Sequence, residues 1–446
     1  MNTEKETRQI QLIAERTGLR EKHVRGVVEL LQDGATVPFI SRYRKEATGG
    51  MSDVEVALVA AELDKITELE HRKEYILTTI DTQGKLTQEL QNRIEECWDA
   101  TTLEDIYLPY KQKRRTRAQV AREAGLEPLA DAILRQSNTP LAQLADKLSP
   151  SKEMEREQAL QGAKDIIAER ISEDERARQT LRTTFSIHAV IHSKVIKGKD
   201  AEGQNFRDYF DWQEPLKRCS SHRLLAMRRG EAEGILRVSI GVDDEPAMER
   251  IARQFVKGNN ECSQLVREAV EDGYKRLLEP SIAGEFGTSS KQKADEEAIR
   301  IFVSNLEQLL MASPLGQKRV LAIDPGFRTG CKVVCLDSEG NLLHHDVIFP
   351  HPPRAERIKA MQAVQNLVEK YNIQAISIGN GTAGRETEDF VRHLDLSDSI
   401  EIYSVSEDGA SIYSASEIAR EEFPNEDVTV RGAVSIGRRL MDPLAE

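Results

Sequence analysis

The sequence predicts a multi-domain protein in which a mainly α-helical N-terminal region precedes an α/β domain. Three observations carry this. The 446 residues exceed what one hydrophobic core organises, since domains run to roughly 100–200 residues. Up to about position 311 apolar residues recur mostly at helical spacing, and beyond Pro314 the period becomes that of short strands. The apolar run 319–323 then delivers Asp324 into a Pro325-Gly326 turn, placing a carboxylate at the C-terminal end of a buried strand.

Taken in order, the first fifty residues read as two or three short helices, ending in a compact segment from Pro38 to Lys45 and a break at Gly49-Gly50. Val54, Leu58, Ala61, Ile66, Leu69, Ile76 and Ile80 then mark a long amphipathic helix behind a Ser52 or Asp53 cap, and a second follows from about Thr87 to Trp98. Helices continue through 129–134 and 153–170. From 186 to 245 the pattern is irregular, with short strands at 189–197 and 235–240 and an aromatic run (Tyr209, Phe210, Trp212) that reads as a packing plug. Helical spacing returns over 247–278 and 292–311. Strands at 319–323, 331–336 and 342–349 form a meander, followed by a helix (354–371), a strand (375–379), a helix (384–394), a strand (400–405), a helix (409–421) and a last helix from about 430. This order, βββαβαβα, is that of ribonuclease H-like nucleases. The expected domains are 1–185, 186–315 and 316–446.

Composition narrows the function classes. A formal charge of −13 excludes a uniformly basic surface, so any nucleic-acid contact must be local. No window approaches the roughly 18 apolar residues of a membrane span, and the first residues lack the apolar core of a signal peptide, so a cytoplasmic protein without membrane partners is expected. The five cysteines are scattered; Cys331 and Cys335 share one strand face as small hydrophobes, which argues against disulfides or a zinc knuckle. His344 and His345, being strand neighbours, point to opposite faces and are poorly placed to share a metal.

Several strings together resemble one family: Thr36-Val-Pro-Phe-Ile-Ser-Arg-Tyr-Arg-Lys-Glu, Leu103-Glu-Asp-Ile-Tyr-Leu-Pro-Tyr-Lys, Lys113-Arg-Arg-Thr-Arg, Phe206-Arg-Asp-Tyr-Phe, Ile323-Asp-Pro-Gly-Phe-Arg-Thr-Gly, Ile378-Gly-Asn-Gly-Thr-Ala-Gly-Arg-Glu and Arg438-Arg-Leu-Met-Asp-Pro-Leu-Ala-Glu. Across essentially its whole length the chain resembles the bacterial Tex proteins, RNA-binding transcription accessory factors. The resemblance implies a helix-turn-helix-like unit near the N-terminus and a YqgF-type ribonuclease H-like domain at the C-terminal side. It also implies a chain that stops before the family's helix-hairpin-helix and OB-fold RNA-binding domains, in keeping with the abrupt ending after Asp442-Pro443.

Chain order nominates Asp324, Glu407 and Asp442 as the carboxylates of a two-metal nuclease centre using Mg²⁺ or Mn²⁺. Where YqgF-type resolvase domains carry another acid, after the fourth strand, this chain has Asn380, so the expectation is a vestigial site with no catalytic residue, metal or cofactor. The loop Gly379, Asn380, Gly381, Thr382 is a phosphate-loop candidate or a tight turn. Lys111, Lys113, Arg114, Arg115 and Arg117 form a basic cluster, a solvated turn or a set of phosphate contacts, with Arg42, Arg44 and Lys45 as an extension. The leading reading is a non-catalytic scaffold that binds RNA, and DNA as a second polymer, within the transcription or translation machinery. The rivals are a metal-dependent nuclease or resolvase and a protein-interaction scaffold on polymerase or ribosome; the sequence does not fix an oligomeric state.

Overall fold

The computed structural model describes residues 2–113, 115–149, 155–444 and 446, and divides into two compact units, Met1–Ala294 and Asp295–Glu446. The first opens with α1 (Asn2–Thr17), α2 (Glu21–Gln32), α3 (Val37–Tyr43) and α4 (Lys45–Thr48), which pack on the N-terminal half of α5 (Asp53–Thr82). Ile10, Ile13, Val24, Val28, Ile40, Val56 and Val59 are fully buried there. Ser52 starts α5 with a reciprocal capping box, its side chain accepting from Glu55 N–H while the Glu55 carboxylate accepts from Ser52 N–H. The other half of α5 packs with α6 (Gln88–Glu96) and α7 (Ala100–Tyr107). Lys73 is buried between them, donating to Glu95 O at 2.7 Å and lying 3.5 Å from the Trp98 ring centroid.

A second, larger core holds α8 (Arg117–Glu123), α9 (Glu127–Leu134), α10 (Leu141–Leu148), α11 (Arg156–Glu173), α12 (Glu175–His188), β1 (Val190–Val195), β2 (Asp211–Pro215), α13 (Ser221–Ala232), β3 (Leu236–Gly241), α14 (Asp244–Phe255), α15 (Glu261–Gly273) and the start of α16 (Glu279–Leu310). Its sheet is antiparallel, in the order β2-β1-β3. Leu181, Phe185 and Ile191 share this core, and the division into two units comes after Ala294, inside α16. The aromatic run packs against the core as expected, but Asp211–Pro215 also forms β2, which its alternating exposure allows and its acidic residues disguise. A π-helical turn, Tyr274–Leu278, joins α15 to α16, and the buried Tyr274 hydroxyl donates to Asp244 Oδ1 at 2.9 Å.

Four charged residues hold α7, α12 and α16 together. Arg178 donates to Asp105 (2.6 Å) and Glu285, and Arg182 donates to the same two carboxylates (2.7 Å from its Nε to Glu285). Asp105 and Arg178 have side chains only 7% and 6% exposed, so their charges are balanced by one another rather than by water.

In the second unit β4 (Val320–Asp324), β5 (Cys331–Leu336), β6 (Leu342–Ile348), α17 (Arg357–Tyr371), β7 (Ala375–Gly379), α18 (Gly384–Arg392), β8 (Glu401–Val405), α19 (Ala410–Ala415), α20 (Glu417–Glu422) and α21 (Val428–Met441) build a sheet of order β6-β5-β4-β7-β8. β5 is antiparallel to β4 and β6; β7 and β8 run parallel to β4. Strand alternation sends Leu321 and Ile323 into a layer with α17 and α18, and Val320 and Ala322 into a layer with α21. Cys331 and Cys335 lie fully buried in the first of these layers. His344 stacks on Tyr371, while His345 meets Glu426 at 3.2 Å on the other side. The expected helix 409–421 is two, because the Ser416 side chain caps α20 by accepting from Ala419 N–H.

Asp105→Ala should strand two buried guanidinium groups against the single Glu285 carboxylate. Denaturant unfolding followed by hydrogen exchange on α7 and α12 should register a loss of about 3–5 kcal/mol in the first unit.

Candidate functional site

The carboxyl ends of β4, β7 and β8 meet at one edge of the second unit's sheet. Asp324 ends β4, partly buried, with its cross-strand partner Lys332 in register on β5. Loss of water, reinforced by the nearby Glu407 charge and opposed by Lys332, pushes the Asp324 carboxyl up to about 6 from an ordinary 3.8. Lys332 is 8% exposed; its ammonium donates to Thr329 Oγ1 at 2.5 Å and Gly330 O at 3.1 Å, fixing the turn that follows Asp324.

Glu407 lies in the loop between β8 and α19. Its N–H donates to Asn380 Oδ1 at 3.3 Å, and the carbonyls on either side of it, Ser406 O and Asp408 O, accept from the buried Arg439 guanidinium at 2.6 and 2.8 Å. The Glu407 carboxylate rests on the loop after β7. A Cβ on Gly381 would stand 1.6 Å from Glu407 Oε1, and one on Gly379 would stand 2.5 Å from Oε2 and 3.0 Å from Pro325 Cδ. Those glycines make room for a carboxylate. The Glu407 carboxylate thus lies against the phosphate-loop candidate Gly379, Asn380, Gly381, Thr382, where it would repel a phosphate. The positive φ of the turn falls instead on Ala383, at +66°.

Asp442 does not join the site. α21 crosses Asp324 at Gly432, whose Cβ position is 3.8 Å from Asp324 Oδ2. Asp442 is the exposed C-cap of that helix, ten residues on, or about 15 Å along the axis. Glu386 is exposed in the first turn of α18, where its charge acts on His351. Two carboxylates, an amide oxygen engaged by a backbone N–H and a cross-strand ammonium do not fit a two-metal centre, which needs three or four converging anionic ligands. Among the described residues no group of three or more His, Cys, Asp or Glu side chains is placed to hold a metal ion. Sequence reasoning missed Lys332 and Arg439. A lysine inside the otherwise apolar Cys331–Leu336 was the available signal for the first.

The basic candidates separate into two kinds. Lys113 is ion-paired with Glu173 and, at 3.8 Å, with Glu169, and burial lowers its pKa; Arg115 meets Glu123 at 3.3 Å; Lys111 and Arg117 are exposed; Arg114 lies outside the described residues. Arg42, Arg44 and Lys45 are exposed, and among the described residues no carboxylate pairs with them. Tyr43 and Phe39 are 58% and 39% exposed beside them, with ring centroids 5.4 Å apart, and the Arg44 guanidinium lies 5.2 Å from the Phe39 centroid.

A five-stranded mixed sheet of this order, carrying carboxylates at the carboxyl ends of its parallel strands, defines a ribonuclease H-like domain that follows a helical region in the chain. Three family models match in sequence: the Tex-like protein N-terminal domain over residues 7–81, the Tex central region-like model over 135–302 and the Tex protein YqgF-like domain over 318–441. The chain belongs to the Tex family. It is 44% identical over 455 residues to Protein tex of Bordetella pertussis, covering 97% of this chain and 57% of that one. It is 42% identical over 435 residues to the transcriptional accessory protein Tex of Neisseria gonorrhoeae (95% and 56%) and 29% identical over 460 residues to the human S1 RNA-binding domain-containing protein 1 (98% and 46%). The chain therefore spans under two thirds of the length of these relatives. No helix among the described residues is long and apolar enough to cross a membrane.

A carboxyl with a raised folded-state pKa binds its proton more tightly folded than unfolded, so it costs stability above about pH 6 and nothing below about pH 4. Asp324→Asn should therefore stabilise the second unit by about 2–3 kcal/mol at pH 7.5, the gain fading as pH falls from 6 to 4 in parallel melts. Lys113→Glu should lower first-unit stability by about 2–4 kcal/mol in denaturant titrations, because it sets a third carboxylate against Glu169 and Glu173.

Proposed function

We propose that this chain is a non-catalytic, nucleic-acid-associated transcription accessory scaffold with RNA as its polymer, working in the cytoplasm. The observation that carries the reading is the set of unpaired cations Arg42, Arg44 and Lys45 around exposed aromatic rings, in a chain whose other basic cluster is partly consumed by internal ion pairs. In a protein of net charge −13, cations left free of carboxylates in one place are where phosphate neutralisation would be most favourable. The name of the Neisseria relative supports a role beside transcription, and that of the human relative supports RNA as the polymer. The Asp324 and Glu407 pair, short of ligands for two metal ions, supports a scaffold over a nuclease.

Fluorescence-anisotropy titrations of a labelled RNA oligonucleotide across salt test the proposal. Binding should weaken with salt, and Arg42→Glu with Lys45→Glu should make the slope shallower by about 1.4, two contacts at about 0.7 each. Incubation with RNA and branched DNA in Mg²⁺ or Mn²⁺ should leave both intact. Metal-dependent cleavage abolished by Asp324→Asn would sink the non-catalytic reading.

A further inference from the structure

The N-terminal helices present a surface whose geometry is more specific than a basic patch. Phe39 and Tyr43 are four residues apart on α3, so their rings share one helix face, and Arg42 lies on the adjoining row. Neither ring belongs to the apolar cluster beneath α3, to which that helix contributes the fully buried Ile40 and the partly buried Val37. Across Arg42 from the rings, which do not line it, a groove of about 670 Å³ runs between α3 and the start of α5. Pro38, Met51 and Val54 give it apolar walls, Arg42 and Lys45 line it with positive charge, and Asp53 is the single carboxylate lining it. Val54 is 73% exposed and Leu58, one turn on, is 44% exposed, so the apolar wall continues along α5.

We infer that this surface is a binding site for single-stranded nucleic acid, with an unpaired base stacked on Tyr43 and Phe39 and the strand crossing α3 at Arg42 toward the groove, its phosphates at Arg42 and Lys45. The inference rests on the nucleic-acid reading above and deepens it by naming the strand state and the side chains. Stacking distinguishes single strands from duplexes, because only an unpaired base frees its face for a protein ring. A double helix would offer phosphates to the same cations while leaving both rings and the apolar groove unused. Arg44, held over Phe39, adds a flat cation beside the ring without filling the groove.

The experiment compares the 446-residue chain with Tyr43→Ala, Tyr43→Phe, Phe39→Ala and the Arg42→Glu, Lys45→Glu pair, using labelled single-stranded RNA, single-stranded DNA and duplex RNA of one length. The single strands should bind at least tenfold more tightly than the duplex. Tyr43→Ala and Phe39→Ala should each weaken single-strand binding by about tenfold, with duplex binding unmoved, while Tyr43→Phe keeps near-full affinity. Both rings are exposed, so unchanged melting of the alanine variants provides the folding control. If charge reversal weakens binding while the alanine variants do not, or if duplex binds as well as single strands, the stacking site is refuted and the nucleic-acid reading stands. If the unmodified chain binds none of the three, both fall.

Discussion

Strand β4 is the constraint on which the second unit is built. It is hydrogen-bonded on both edges and covered on both faces, so every side chain from Val320 to Ile323 is removed from water, and the direction of the strand forces Asp324 to emerge where three neighbouring strands end. A carboxylate cannot be left in such a place uncompensated. The surrounding elements answer it with Lys332 from β5 and with partial protonation. The same edge must also hold Glu407, and the side-chain-free positions 379 and 381 give it room.

Lys332 thus offsets only part of the negative charge at this end of the sheet, and the Asp324 carboxyl stays raised. Where a hydrolytic centre would gather negative charge for ions to neutralise, here an ammonium is built in register with the first carboxylate and a guanidinium ties down the loop of the second through its peptide carbonyls. Asn380 completes the arrangement by accepting from Glu407 N–H, a role that a carboxylate in its place would fill only by bringing a third negative charge into the cluster.

Much of the fold was legible because its signals are local. Ser52 before an apolar helical period predicts a capped helix and gives one; the spacing of Cys331 and Cys335 predicts a shared buried face; the adjacency of His344 and His345 predicts their divergence. What stayed hidden depends on partners distant in the chain. The first part of α16 contains Gly284, Gly287, Thr288, Ser289 and Ser290, poor helix formers, and is held helical by the burial of Ile282 and by two arginines from α12 on Glu285. The glycines at 379 and 381 left a phosphate loop and a tight turn both open, because nothing in their neighbourhood reveals that Glu407, 26 residues beyond Gly381, arrives above them. Asp442 looked like a ligand until helix length placed it past the cluster.

The Asp105, Arg178, Arg182 and Glu285 cluster carries a consequence for the order in which the chain matures. Its members come from positions separated by up to 180 residues, and burying any arginine before both acids are in place leaves an unbalanced charge in an apolar setting. During synthesis from the N-terminus, α7 and α12 can meet, yet their junction stays undercompensated until Glu285 has been made and α16 has docked. The long helix therefore acts as a late fastener: the helical platform gains its full rigidity only when the segment leading into the next unit is already in hand.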